Sequence, residues 1–257
     1  PFCKTGKVGV TRLGQSGGVY QSTAGLQINA STGEIDLSNS TPGSYTITYA
    51  FSDGTCSGSA FTQVTILTPP TVSITLPVSS VCSTAAAFSV TGGTPVGGVY
   101  SGPGVTGGNF TASIAGTGIH VIQYAYTDMG GCVTVATSSI TVNPLIGVQA
   151  PADVTLCMGF AVTLSATQAL SYSWQPSTGL SSTVGSVVVA SPLTSTLYTV
   201  TGLDANGCSS SDDVLVRVLP LPVASISYAG NPFCKTGKVS VTRLGQSGGV
   251  YQSTAGL

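Results

Sequence analysis

The sequence predicts an all-β protein built from tandem sandwich modules, and three observations predict it. Val, Thr, Ile and Tyr are frequent while only 6% of the 257 residues are charged, which favours strands over helices. The 34 Gly and 14 Pro fall between short alternating runs, as turn residues do. Seven cysteines recur at near-constant spacing.

The chain also carries one stretch twice. Residues 1–26, PFCKTGKVGVTRLGQSGGVYQSTAGL, return at 232–257 with Gly9 replaced by Ser240 as the single difference, at an offset of 231. Duplication this close marks a tandem array. The chain is therefore expected to be one period of a longer array plus an overlap.

The cysteines subdivide that period. Cys3, Cys82 and Cys157 stand 79 and 75 residues apart, and Cys234 follows 77 later. Cys56, Cys132 and Cys208 follow the first three by 53, 50 and 51 residues. No CxxC occurs and there is one His, which disfavours a metal site. The expectation is one bridge per module, Cys3–Cys56, Cys82–Cys132 and Cys157–Cys208, with Cys234 left unpaired, in an oxidising compartment. The corresponding modules are 1–67, lacking its first strand; 68–144; 145–219; and 220–257, the start of the next.

Before each second cysteine comes a strand and an Asp-containing turn: SYTITYAFSDGTC (44–56), IHVIQYAYTDMGGC (119–132) and LYTVTGLDANGC (197–208). A further strand follows, so each is a β-hairpin. In the first, Tyr45, Ile47, Tyr49 and Phe51 alternate with Thr46, Thr48 and Ala50, one face buried and one wet. GGVY at 17–20 recurs at 97–100, and the third module has SYSW with Trp174 there. Val8 and Val10 share one face of the strand after Cys3, which leaves Gly9 facing solvent. The junctions, LTPPTVSITLP (67–77), NPLIGVQAP (143–151) and LPLPVASISYAGNP (219–232), are Pro-rich, which stiffens them. They carry no acidic residue, and Asp153 lies just beyond the second, so calcium-clamped junctions are not expected. Short strands, turn residues and one bridge per module together spell an immunoglobulin-like β-sandwich repeated along an extended array.

These phrases resemble a recognisable class. GGVYQSTAGLQINASTGEIDLSNSTPGSYTITYAF, TGGTPVGGVYSGPGVTGGNFTASIAGTGIHVIQYAYTDMGGC and SYSWQPSTGLSST with SPLTSTLYTVTGLDANGC are similar to three types of Ig-like and PKD-like repeat. Such repeats occur in giant cell-surface proteins of Bacteroidota, including the SprB-like mobile adhesins of gliding bacteria. The resemblance implies type 9 secretion, an extracellular location at the bacterial cell surface and a role as adhesin or stalk. It implies neighbouring modules, and other copies in a filament, as partners. The antibody pattern joins strands B and F by its bridge. Here each second cysteine follows the hairpin turn, so that placement is not transferred.

Chemistry is sparse. A net charge of −1 offers nucleic acid no electrostatic footprint, and no apolar run approaches the ~20 residues of a membrane span. His120, the single histidine, falls on the face of Ile122, Tyr124 and Tyr126 and is expected to be a packed strand residue rather than a catalytic base. Glu34 and Asp36 could mimic a glycosidase pair, but with Lys4, Lys7 and Arg12 nearby they read as a surface charge cluster. Asp53, Asp128 and Asp204 read as turn formers rather than calcium ligands, and Asp212-Asp213 is an acidic pair in the third module. No catalytic residue, metal or cofactor is expected. Six of the seven basic residues lie in the two copies of the opening stretch. Lysine-based isopeptide staples are thus ruled out in the second and third modules. The alternative to a structural stalk is carbohydrate binding, for which Tyr20, Tyr100 and Trp174 are the candidate contacts to surface glycans.

Overall fold

The computed structural model describes residues 1–228, 241–244, 248–250 and 252. It divides into two compact units, Pro1–Pro144 and Leu145–Leu257. Both are built of strands; the one helix among the described residues is α1, Ala112–Ala115. The protein is all-β with immunoglobulin-like sandwich architecture, as the alternating runs predicted.

Unit 1 holds two separate cores. The first is formed by β1 (Phe2–Cys3), β2 (Lys7–Val8), β3 (Val19–Ser22), β4 (Gln27–Ile28), β5 (Ile35–Asp36), β6 (Gly43–Ser52) and β7 (Ser57–Leu67). A four-stranded sheet, β1-β7-β6-β3, faces a three-stranded one, β2-β5-β4. Tyr20, Leu26, Ile35, Leu37, Tyr45, Ile47 and Ile66 fill the space between them. Tyr45 and Ile47 are buried on one face of β6 and Tyr49 is half-buried, the period-2 pattern of a one-sided strand.

The second core uses β8 (Ser73–Ile74), β9 (Ser80–Cys82), β10 (Phe88–Ser89), β11 (Gly93–Thr94), β12 (Val99–Ser101), β13 (Val105–Thr106), β14 (Asn109–Phe110), β15 (Gly118–Thr127) and β16 (Val133–Asn143). Its main sheet is β12-β15-β16-β9, with β10-β14-β13 and β11-β8 opposite. Phe110, Ile122, Ile140 and Val142 lie at its centre.

Unit 2 contains β17 (Val154–Cys157), β18 (Val162–Ser165), β19 (Ser171–Gln175), β20 (Val187–Ala190), β21 (Thr196–Leu203), β22 (Ser209–Leu219), β23 (Ile226–Tyr228) and β24 (Val241–Arg243). The sheet β17-β22-β21-β19 covers β18-β20, and Trp174, Tyr198, Val200 and Val214 pack between them.

One arrangement recurs three times. The strand carrying each first cysteine runs parallel to the far end of the last strand. Cys3 lies opposite Leu67, Cys82 opposite Asn143 and Cys157 opposite Leu219. Each second cysteine sits at the other end, just before that last strand begins. The 11 residues of β7, β16 or β22 therefore separate the two cysteines of a module by about 35 Å.

The repeated GGVY motif also acquires a reason. Tyr20 stacks on Tyr49 with ring centroids 4.6 Å apart, and Tyr100 on Tyr124 at 4.7 Å. Gly18 N–H donates to the Tyr49 hydroxyl at 2.8 Å and Gly98 N–H to that of Tyr124 at 2.7 Å. A Cβ at Gly18 or Gly98 would come within 2.5 Å of those rings. Only glycine admits the aromatic ring at that distance. By contrast a Cβ at Gly9 would meet nothing within 4 Å, so the single Gly/Ser difference between the long repeats falls on open surface.

Candidate functional site: a disulfide-closed module junction

The structure pairs Cys3 with Cys132, not with Cys56. Their Cα atoms are 5.4 Å apart and the bond spans 129 residues of sequence. It joins the first core of unit 1 to the second. The expected Cys3–Cys56 and Cys82–Cys132 bridges are therefore not formed, and a free Cys157 excludes Cys157–Cys208. The physical reason is the strand length. A disulfide needs Cα atoms within about 7 Å, and the two cysteines of one module occupy opposite ends of an 11-residue strand. Cys82 and Cys208 are each disulfide-bonded, whereas Cys56 and Cys157 are free thiols, Cys56 exposed. Cys234 lies outside the described residues.

The junction is assembled from two elements that the sequence repeats. On one side, Phe2↔Ile66 and Cys3↔Leu67 pairing holds Cys3 against the end of the last strand of residues 1–67. On the other, the hairpin turn between β15 and β16 presents Cys132. Asp128 closes that turn: its Oδ1 accepts from Cys132 N–H at 2.9 Å, while its own N–H donates to Cys132 O at 3.1 Å. Gly130 in the same turn approaches Leu67 so closely that a Cβ would sit 2.4 Å from Leu67 Cδ1. Cys132 is only 1% exposed. Closing a loop of this length is worth roughly 5 kcal/mol in the chain-entropy account.

The three turn aspartates behave alike. Asp53 Oδ1 accepts from Thr55 and Cys56 N–H, and Asp204 Oδ1 from Asn206 and Cys208 N–H, all at 2.7–2.8 Å. Amide donation from Cys56 first, then Thr55, holds the Asp53 carboxyl below its ordinary range. Each carboxylate is thus committed to positioning the cysteine that follows it. Asp212 is held low in the same way, chiefly by Ala150 N–H at 2.8 Å and then by Asp213 N–H.

The remaining candidate residues are structural. His120 is half-buried in β15, opposite Ile140, with Nε2 2.8 Å from Gly116 O. Glu34 pairs with Lys7 at 2.9 Å on the surface, and Asp36 accepts from the Asn39 side chain and backbone. Trp174, 1% exposed, donates Nε1–H to Gly185 O at 3.0 Å inside its core. Tyr20 is buried, and the half-buried Tyr100 accepts from Gly93 N–H at 2.7 Å. The three aromatics expected as glycan contacts are therefore core and turn-closing residues, a correction traceable to the inward-facing strand positions they occupy. Among the described residues no group of three or more His, Cys, Asp or Glu side chains could hold a metal. No helix there is long and apolar enough to cross a membrane.

No family model and no curated protein matches the sequence. Three of the solved structures that align with it are the following. A calcium-stabilised adhesin that helps an Antarctic bacterium reach out and bind ice aligns over 87% of this chain and 72% of its own, at 17% identity and a TM-score of 0.32. Mouse protocadherin-24 EC1-3 covers 78% and 90%, at 15% identity and 0.23. Extracellular domains 3–5 of Drosophila OTK cover 76% and 78%, at 10% identity and 0.28. None of these superpositions is close enough to transfer a property.

Proposed function

We propose that this chain is a load-bearing segment of a long extracellular surface adhesin, a stalk or filament whose modules are covalently clamped at their junctions. The observation that carries the reading is the Cys3–Cys132 bond, which ties one core to the next rather than stapling a single sandwich. Disulfides fit an extracellular, oxidising setting. The proposed modules are 1–67, 68–144, 145–219 and 220–257. In this reading Cys3 of module 1–67 bonds Cys132 of module 68–144, across a junction inside unit 1. The near-identical return of residues 1–26 at 232–257, an offset of 231, supports an array, and the resemblance to Bacteroidota surface repeats supports an adhesin that serves attachment or gliding at the bacterial cell surface.

In this reading the junction bridge limits hinge motion between neighbouring modules. Electron microscopy of a multi-period array tests this. Rods that become bent or segmented on reduction are expected; a compact particle, or rods unchanged by complete reduction, would overturn the proposal.

A further inference from the structure

Strands β15 and β16 bury one face in the second core and turn the other to solvent. The solvent face carries Ile119, Val121 and Ala125 on β15, Val133 and Val135 on β16, and Val99 on the adjoining β12. The five larger side chains are 50–74% exposed. Val99, Ala125 and Val135 lie side by side in one cross-strand row. Next to it, towards Gly118, comes a polar row of Ser101, Gln123 and Thr137, with Val121 and then Ile119 beyond. The face is thus apolar at both ends and polar in the middle.

Branched aliphatic residues favour strands, but strand formation alone does not call for them here. β6 and β7 of the first core have the same lengths as β15 and β16, 10 and 11 residues. They also share the pairing, Tyr45↔Val64 corresponding to His120↔Ile140. Where β15 and β16 have Ile119, Val121, Val133 and Val135, β6 and β7 have Ser44, Thr46, Ser57 and Ser59. Four hydroxyl side chains therefore build the same hairpin. Aliphatic surface left in water is unfavourable, and a contiguous patch of it marks an interaction surface. Residues 68–144 contain one charged side chain, Asp128 in the hairpin turn. Nothing on the face repels an identical face or selects a charged partner.

We propose that this face pairs with the same face of a second copy of the chain, about a two-fold axis that sets β15 antiparallel across the partner's β15. With the axis over the Gln123 row, Val121 of each copy meets the low point that Ala125 makes between Val99 and Val135 of the other. Ile119 then lies towards the partner's Val133, and the two Gln123 amides meet at the axis, where they can bond each other. Such a contact is isologous and closes at two copies. Ten residues of β15 at ~3.4 Å and three strands at ~4.8 Å give a face on the order of 500 Å². The pair would bury about 1,000 Å² in all, the lower bound for a specific interface. The expected association is weak and reversible.

The test is sedimentation of the oxidised full chain, its free thiols alkylated, over a range of concentrations. A monomer–dimer equilibrium is expected. Val121→Lys and Val135→Glu should each weaken it about tenfold or more. Val121→Thr, the residue type that Thr46 supplies at the corresponding place, should weaken it too without lowering the melting temperature. Mixed in equal amounts, the Val121→Lys and Val135→Glu chains should recover as a heterodimer, because the antiparallel arrangement sets the new cation of one beside the new anion of the other. Thr46→Lys and Ser59→Glu, at the matching places of the first core, should leave association unchanged. A chain that stays monomeric at every concentration, or that dimerises equally well with Val121→Lys, would overturn the proposal. So would a mixture that fails to recover, since the two faces would then not pair in this geometry.

Discussion

Removing the junction bridge should release a defined length of chain under force. With handles attached at residues 1 and 144 without cysteine chemistry, load entering at Cys3 passes directly through the bond to Cys132. The stretch between them, a sequence separation of 129, is then locked and contributes nothing to extension, even after both sandwiches of unit 1 unfold. Cys3→Ser should add those residues to the extensible contour, about 440 Å at ~3.4 Å per residue. A bridge confined to the first module would lock only the 53 residues from Cys3 to Cys56, and the same substitution would then add about 180 Å at the same rise. Optical-trap or atomic-force unfolding resolves the two values easily. A gain near 180 Å, or no gain, would refute the cross-module path.

Three other perturbations follow from the packing. Gly98→Ala drives a Cβ to 2.5 Å from the Tyr124 ring and should cost about 1–3 kcal/mol, read as a lower melting temperature. Gly9→Ser should stay within about 0.5 kcal/mol of wild type. Trp174→Ala empties the centre of the third core and should cost about 3–5 kcal/mol. The native indole should be shielded from iodide, and added glycans should leave its fluorescence unchanged; quenching by a sugar would restore the carbohydrate reading. Finally, Asp53 and Asp212 are held below their ordinary value of 3.8, so their ionised forms favour the folded state. That contribution is present above about pH 4 and is lost as pH falls through the lowered folded values. Carboxyl NMR titration should find both midpoints below 3.8, and Asp53→Asn should flatten the acid limb of the stability profile.

Much of the fold was legible in the sequence because it rests on local rules. Alternation in 45–51 placed β6 and its buried face, Asp-Gly spacing placed the hairpins, and GGVY placed a short strand between turns. His120 and the turn aspartates also read correctly, since strand periodicity and turn chemistry act over a few residues. The cysteine pairing did not. Regular spacing shows that the pairing repeats, but a shift of partners by one module gives an equally regular series. Choosing between them requires knowing that Cys3 sits level with Leu67 while Cys56 sits before Ser57, and that is a matter of sheet register. One usable signal was the length of the strand separating each second cysteine from the end of its module. Tyr20, Tyr100 and Trp174 were misread for a related reason. An aromatic residue on a short Gly-flanked strand serves a surface or a core equally well, and only the opposite sheet decides.

The central claim is the partner of Cys3. No Lys or Arg lies between Arg12 and Arg217, so trypsin leaves five cysteines on one fragment and pepsin is the protease of choice. Peptic mapping of the alkylated, unreduced chain should find Cys3 linked to Cys132, with Cys56 and Cys157 carrying the alkyl label. A Cys3–Cys56 peptide with an intact Cys82–Cys132 partner would contradict the account and return each bridge to its own module.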